Sequence, residues 1–257
     1  DSDQPYMLYV AFTAPHDPRN PPPSYRQLYY ENRPPLPDNF LPDHPFDNGH
    51  VSGKKRDEGL AAHPREQSVV SDQLCEYYGL ITHLDGQVGR ILDAIESSEE
   101  RDNTIVIYTA DHGLAMGSHG LLGKQNVYEH SMGSPLIVSG PGIPKGKSTE
   151  AMTYILDLHK TIFSLCGLPI PNGIDGRDLT AIFNDPTASV RESIFLPFQD
   201  IMRAVRNDRY KLHVYPKINH VLLFDLVDDP EEMNNLADHP SYAGIVKQLT
   251  TLMENWQ

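Results

Sequence analysis

The hydrophobic pattern divides the chain into elements of two periods. Leu74, Tyr77, Tyr78, Ile81, Leu84, Val88, Ile91, Leu92 and Ile95 recur at three- and four-residue spacing, which puts them on one face of a helix. Ser71 is the expected N-cap. Gly79, Gly86 and Gly89 each weaken that helix, so close packing is expected there, on a sheet. Two flanking runs read as strands: Tyr6 to Phe12, and Thr104 to Thr109, which is apolar on both faces as in a parallel sheet. Strand, helix, strand in that order is a βαβ signal. Pro135 to Val138 adds a strand before the turn Gly140-Pro141-Gly142, and Asp157 to Leu165 a helix that Gly167 and Pro169 end.

The character changes near Arg191. Met202 to Arg206 and Tyr210 to Tyr215 form a hairpin about an Asn207-Asp208 turn, Val221 to Leu226 adds a third antiparallel strand, and Tyr242 to Trp256 a closing helix. The stretch from Arg19 to Pro64 is dense in Pro, Asn, Asp and His, but its aromatics (Tyr25, Tyr29, Tyr30, Phe40, Phe46) predict an ordered excursion. The division expected is therefore an α/β part over 1–190, with a largely parallel sheet, and a small antiparallel subdomain over 191–257.

Composition narrows the function. A chain of 257 residues with 39% hydrophobic content suits one large globular domain or a domain with an appendage. No apolar run approaches the length of a membrane span. A net charge of −14 argues against nucleic acid as a partner, though a local basic pocket can still hold a small anion. Cys75 and Cys166 are too few for a disulfide framework, and both sit in apolar helical patterns, so buried free thiols are expected. Asp1 to Pro5 runs at once into a core-type strand, the pattern of a chain that starts inside a domain, so the lack of a leader says nothing of compartment.

Chemistry gathers at Ala110-Asp111-His112-Gly113, where the Thr104–Thr109 strand ends. Ligands of open α/β sheets collect beyond the carboxyl ends of parallel strands. One carboxylate and one imidazole are too few to hold a cation, so further donors must come from elsewhere. Taken alone, Asp-His-Gly is by default a turn whose carboxylate accepts backbone N–H bonds. Lys124 follows at the end of the glycine-rich stretch Gly117 to Gly123, and His16 stands at the end of the first strand in Pro15-His16-Asp17-Pro18. By themselves they are a surface lysine and a loop histidine. His119 and His130 border the same region. Lys54-Lys55-Arg56 reads as a solvated basic loop, and Asp225 to Glu232 as an acidic turn without EF-hand spacing.

Order and spacing change the weighting. The segments Tyr77 to Asp85, Asn103 to Gly113, Tyr128 to Val138, Pro141 to Pro144 and Phe224 to Leu236 together resemble the formylglycine-dependent sulfatases of the alkaline-phosphatase-like superfamily, across nearly the whole chain. The resemblance implies an alkaline-phosphatase-like α/β sandwich that lacks its N-terminal portion. It implies Asp111 and His112 as ligands of Ca2+, with Mg2+ as an alternative. It puts Lys124 and His16 on the substrate sulfate, with His16 also donating a proton to the leaving oxygen, and His119, bordering the same region, is a further substrate-binding candidate. The substrate class implied is a sulfated carbohydrate, and the compartment periplasmic, secreted or lysosomal.

The departures are as specific. The family's Cys/Ser-x-Pro-x-Arg motif, source of the formylglycine nucleophile, is absent, as are the paired aspartates that complete its metal site. Both belong to a segment upstream of residue 1, the partner this chain is expected to need. Gly133 and Lys160 stand where the family commonly has arginine and proline. A phosphate or phosphonate monoester hydrolase on the same scaffold, and a non-catalytic binding module, remain the alternatives.

Overall fold

The computed structural model describes residues 4–49 and 56–256, so Lys54 and Lys55 of the basic loop lie outside the described residues. The chain folds as two compact units, the first from Asp1–Leu36 and Arg65–Arg101, the second from Pro37–Pro64 and Asp102–Gln257.

The first unit is a helix pair. Helix α1 (Pro23–Glu31) falls inside the Pro-rich excursion and starts at a proline, whose fixed φ suits a first helical turn. It packs on the long α2 (Gln67–Glu96). The reason the two approach closely is Gly79, where a Cβ would lie 3.1 Å from both Pro21 Cγ and the Tyr25 carbonyl oxygen. The glycine therefore admits a helix, not the expected sheet. Across the seam Arg26 pairs with Glu76 at 2.9 Å, and the Tyr29 and Thr82 hydroxyls bond at 2.7 Å. Helix α2 starts at Gln67, ahead of the expected cap: Ser71 lies within it and accepts a hydrogen bond from Arg33. Cys75 is buried. Tyr6 to Phe12 carries no strand ladder among the described residues, and Tyr6, Met7, Leu8 and Tyr9 are exposed. An apolar run becomes a strand only where a partner strand takes up its N–H and C=O groups.

In the second unit β1 (Val106–Thr109) is followed by one turn of helix, α3 (Glu129–Met132), and by β2 (Leu136–Ser139). The two strands pair antiparallel, Val106 opposite Ser139 and Thr109 opposite Leu136. Every ladder among the described residues is antiparallel, so the parallel pairing expected of β1 is not formed within them. Nor is β1 covered on both faces, since Tyr108 is 41% exposed. Helix α4 (Asp157–Leu165) ends as expected, at Gly167 with φ of 65°. Cys166, its C-cap, is exposed rather than buried. A short α5 (Thr180–Asn184) leads to the four-stranded sheet.

That sheet is a meander of β3 (Ile194–Phe198), β4 (Met202–Arg206), β5 (Tyr210–Tyr215) and β6 (His220–Asp225), closed by α6 (Ala243–Glu254). The expected hairpin, third strand and helix are all present, and β3 is an additional edge strand. Asn207 makes the turn, its side-chain oxygen accepting from the amides of Arg209 and Tyr210. Both faces of the sheet are covered. Val205, Leu212 and Leu223 meet Leu249 and Met253 of α6, while Met202, Ala204, Tyr215, Leu222 and Phe224 meet Ala115, Leu121, Val127 and Tyr128. Period-two alternation then places Lys211 and His213, on the Tyr215 side of β5, against the segment that carries the candidate site.

Candidate functional site

Beyond β1 the chain turns at Asp111-His112-Gly113. Gly113 is required there: its N–H donates to the Ser131 carbonyl at 2.8 Å, and a Cβ would lie 2.1 Å from the His130 carbonyl oxygen. This close pass over α3 directs the two preceding side chains outward. Asp111 is 85% exposed and His112 29%. His112 Nδ1 donates to the Gly113 carbonyl at 2.9 Å, because that oxygen can only accept. In the neutral ring the lone pair is then on Nε2, which lies 3.5 Å from Asp111 Oδ2. Two donors about 2.4 Å from one hard cation, at right angles, stand about 3.4 Å apart, so the pair fits as adjacent ligands. It is two donors only, and among the described residues no cluster of three metal-ligating side chains forms. A calcium ion takes about six to eight oxygens, so most would come from outside this pair.

The loop from Leu114 to Gln125 is folded on itself. Ala115 N–H donates to the Gly123 carbonyl at 3.0 Å, and Gly117 N–H to that of Leu121 at 2.7 Å. Gly120, with φ of 74°, passes so close to Asp43 that a Cβ would sit 2.3 Å from its carbonyl carbon. At the loop's end Lys124 Nζ pairs with Asp57 at 3.2 Å, with the two side chains 10% and 6% exposed. Glu58, next to Asp57, accepts from the Leu122 and Gly123 amides at 3.1 and 2.8 Å. Lys124 is therefore not an ordinary surface lysine. Asp57 and Glu58 were not legible in the sequence, since their partners lie more than sixty residues away.

His119 is placed differently from the expected substrate contact. Its ring stacks on Tyr128 at 4.0 Å, and Nε2 bonds to the Glu232 carbonyl at 3.0 Å, so it is buried within the unit. Desolvation lowers its pKa. His130 stacks on the same tyrosine, and burial takes it down to about 3. His16 belongs to the first unit, is exposed, and has Nδ1 3.1 Å from the Asp17 carbonyl.

Beneath the loop lies a buried ionic cluster. Lys211 Nζ is 2.8 Å from Glu129 and 3.0 Å from Glu232, and His213 Nε2 is 3.1 Å from the same Glu232 oxygen. Glu232 Oε2 also accepts from the Glu129 amide at 2.6 Å, and Arg206 pairs with Glu129. Burial would raise the Glu232 pKa, but the charge of Lys211 and the hydrogen bond from His213 outweigh it and hold the carboxyl well below the usual range. The acidic stretch Asp225 to Glu232 is thus structural, as expected: Asp225 pairs with Arg209, and Asp229 accepts from the Met233 and Asn234 amides. The alternation of β5 is the signal that could have revealed Lys211 and His213 as one face.

A sulfatase family model matches residues 1–168, and a model of the C-terminal region of N-sulphoglucosamine sulphohydrolase matches residues 117–257. N-acetylglucosamine-6-O-sulfatase of Bacteroides thetaiotaomicron is 30% identical over 195 residues, which are 71% of this chain and 35% of that protein. A solved sulfatase of Bacteroides fragilis, described as putative, is 28% identical with a TM-score of 0.76, over 99% of this chain and 54% of its own. The phosphonate monoester hydrolase of Agrobacterium radiobacter, 24% identical, superposes with a TM-score of 0.83 over 99% of this chain and 57% of its own, a likeness of fold. The chain spans between a third and just over half the length of the curated relatives it matches. With its α/β architecture, its Asp111-His112 turn and a family match over most of its length, the chain belongs to the sulfatase family.

Proposed function

We propose that the protein hydrolyses sulfate esters, on a sulfated amino sugar, and that this chain supplies part of its active site. The observation that carries the reading is the Asp111-His112 pair, a carboxylate oxygen and an imidazole lone pair 3.5 Å apart on an exposed turn inside the family match. Asp111 and His112 would hold a divalent cation, calcium by family habit, and such an ion supplies Lewis-acid stabilisation of the anionic ester. Lys124 contributes a compact ammonium to the sulfate oxygens, at a fixed place in a folded loop. For His16 as proton donor to the leaving oxygen the support is the sequence resemblance alone. His119 is assigned a supporting place under the loop, since its ring is enclosed. The remaining metal ligands and the formylglycine nucleophile belong to the upstream segment that this reading requires. The name of the N-acetylglucosamine-6-O-sulfatase relative supports the amino-sugar class.

The test compares matched aryl sulfate and aryl phosphate on the protein with its upstream segment. Sulfate turnover should be the faster, and Lys124→Ala should lower its kcat/KM by about 100-fold or more, the scale of losing one charged stabiliser of the transition state. Faster phosphate turnover would move the assignment to the phosphate and phosphonate hydrolases that share the scaffold. No turnover of either ester would leave a binding module.

A further inference from the structure

The one-turn helix Arg56–Leu60 presents two adjacent buried acids, Asp57 and Glu58, to the loop that ends in Lys124. Two uncompensated carboxylates in such a place would be strongly destabilising. Each is compensated by a different part of one short segment. Glu58 takes backbone: Oε1 accepts from Gly123 N–H at 2.8 Å and Oε2 from Leu122 N–H at 3.1 Å. Asp57 takes the side chain: Oδ2 lies 3.2 Å from Lys124 Nζ, a close ion pair without hydrogen-bond alignment. The fit between them is tight, since a Cβ on Gly123 would lie 2.9 Å from Glu58 Oε1 and 3.0 Å from Asp57 Cβ.

The geometry points to Asp57 and Glu58 as a two-armed clamp that positions Lys124 for the substrate anion, one carboxylate fixing the backbone just before the lysine and the other its ammonium. The inference rests on the reading of Lys124 as a sulfate-binding group. A lysine side chain has a flexible four-carbon stem, and holding its charge where an anion must arrive removes that freedom before binding. Neither acid touches substrate in this scheme. They are positioning residues, and they act only through Lys124.

That dependence is what the experiment reads. In the protein with its upstream segment, Asp57→Asn, Glu58→Gln, Lys124→Ala and the Asp57→Asn/Lys124→Ala double variant are compared on an aryl sulfate. Thermal unfolding, and amide exchange at Leu122 and Gly123, are followed in parallel. Asp57→Asn should lower kcat about 10-fold with KM changed less, a loss typical of a misplaced group. In the Lys124→Ala background it should do nothing further. Glu58→Gln should speed exchange at Leu122 and Gly123 about 10-fold and lower kcat with it. If Lys124→Ala is severely impaired while Asp57→Asn and Glu58→Gln keep kcat within about twofold, the clamp is wrong and the lysine's role stands. The clamp is equally overturned if the Asp57→Asn loss repeats in the Lys124→Ala background, or if Asp57→Asn raises kcat/KM. Full activity in Lys124→Ala removes the reading of the lysine, and the clamp with it.

Discussion

Glu232→Ala probes the charged cluster between the sheet and the candidate-site loop. The carboxylate is buried and has three partners: Lys211 Nζ at 3.0 Å, His213 Nε2 at 3.1 Å and the Glu129 amide at 2.6 Å. Its removal leaves a fully buried ammonium, at 0% exposure, with Glu129 as its remaining carboxylate at 2.8 Å. Breaking a buried ion pair from one side costs about 3–5 kcal/mol, because the other charge stays desolvated. Lys211 retains one of its two carboxylates, so the lower end applies, about 3 kcal/mol. Trp256 is the one tryptophan of the chain, and its ring stacks on Phe195 of β3 with the planes 15° apart. Its fluorescence therefore reports loss of the sheet during urea unfolding. With an m-value of about 2 kcal/mol/M, the midpoint should fall by about 1.5 M. Adding Lys211→Met should recover at least about 1 kcal/mol, since the under-compensated buried charge goes and Glu129 keeps Arg206. A Glu232→Ala cost below about 1 kcal/mol, or a second mutation that destabilises further, would refute the account.

Three further outcomes follow from burial and close packing. Burial lowers the His44 pKa from 6.5 to about 4 and that of His130 to about 3, so the folded unit binds fewer protons than the unfolded chain in mild acid. The stabilisation from each is complete above about pH 6.5 and is lost as pH falls through the folded values, on the order of 3 kcal/mol for His44 by pH 4. The urea midpoint should therefore drop steeply between pH 6.5 and 4.5, and a flat profile there would contradict the burial of these rings. Gly113→Ala should destabilise the second unit by about 1–3 kcal/mol, since its Cβ would lie 2.1 Å from a backbone oxygen. Gly89→Ala, in a helix with nothing within 4 Å, should instead stabilise the first by about 0.5–1 kcal/mol, both read by thermal unfolding.

Short stretches of this chain settle their own structure through period and punctuation. Helix α4 has its expected limits because an apolar face ends at a glycine able to take positive φ. The hairpin of β4 and β5 forms because Asn207 makes its own turn. Asp111, His112 and Gly113 were recognisable because strand end, donors and turn glycine are contiguous. The partners of these pieces were set by folding. Gly79 meets α1 rather than a sheet, and Tyr6 to Phe12 is apolar but forms no ladder among the described residues. His119 turns inward to a carbonyl 113 residues away. Lys124 acquired its acidic partner, and Lys211 and His213 theirs, through contacts that no local window contains. Period and turn chemistry act over a few residues, whereas burial of a charge is favourable only when a distant opposite charge or amide meets it. The element pattern was therefore legible in the chain, and the electrostatic support of the site became visible only once the chain had folded.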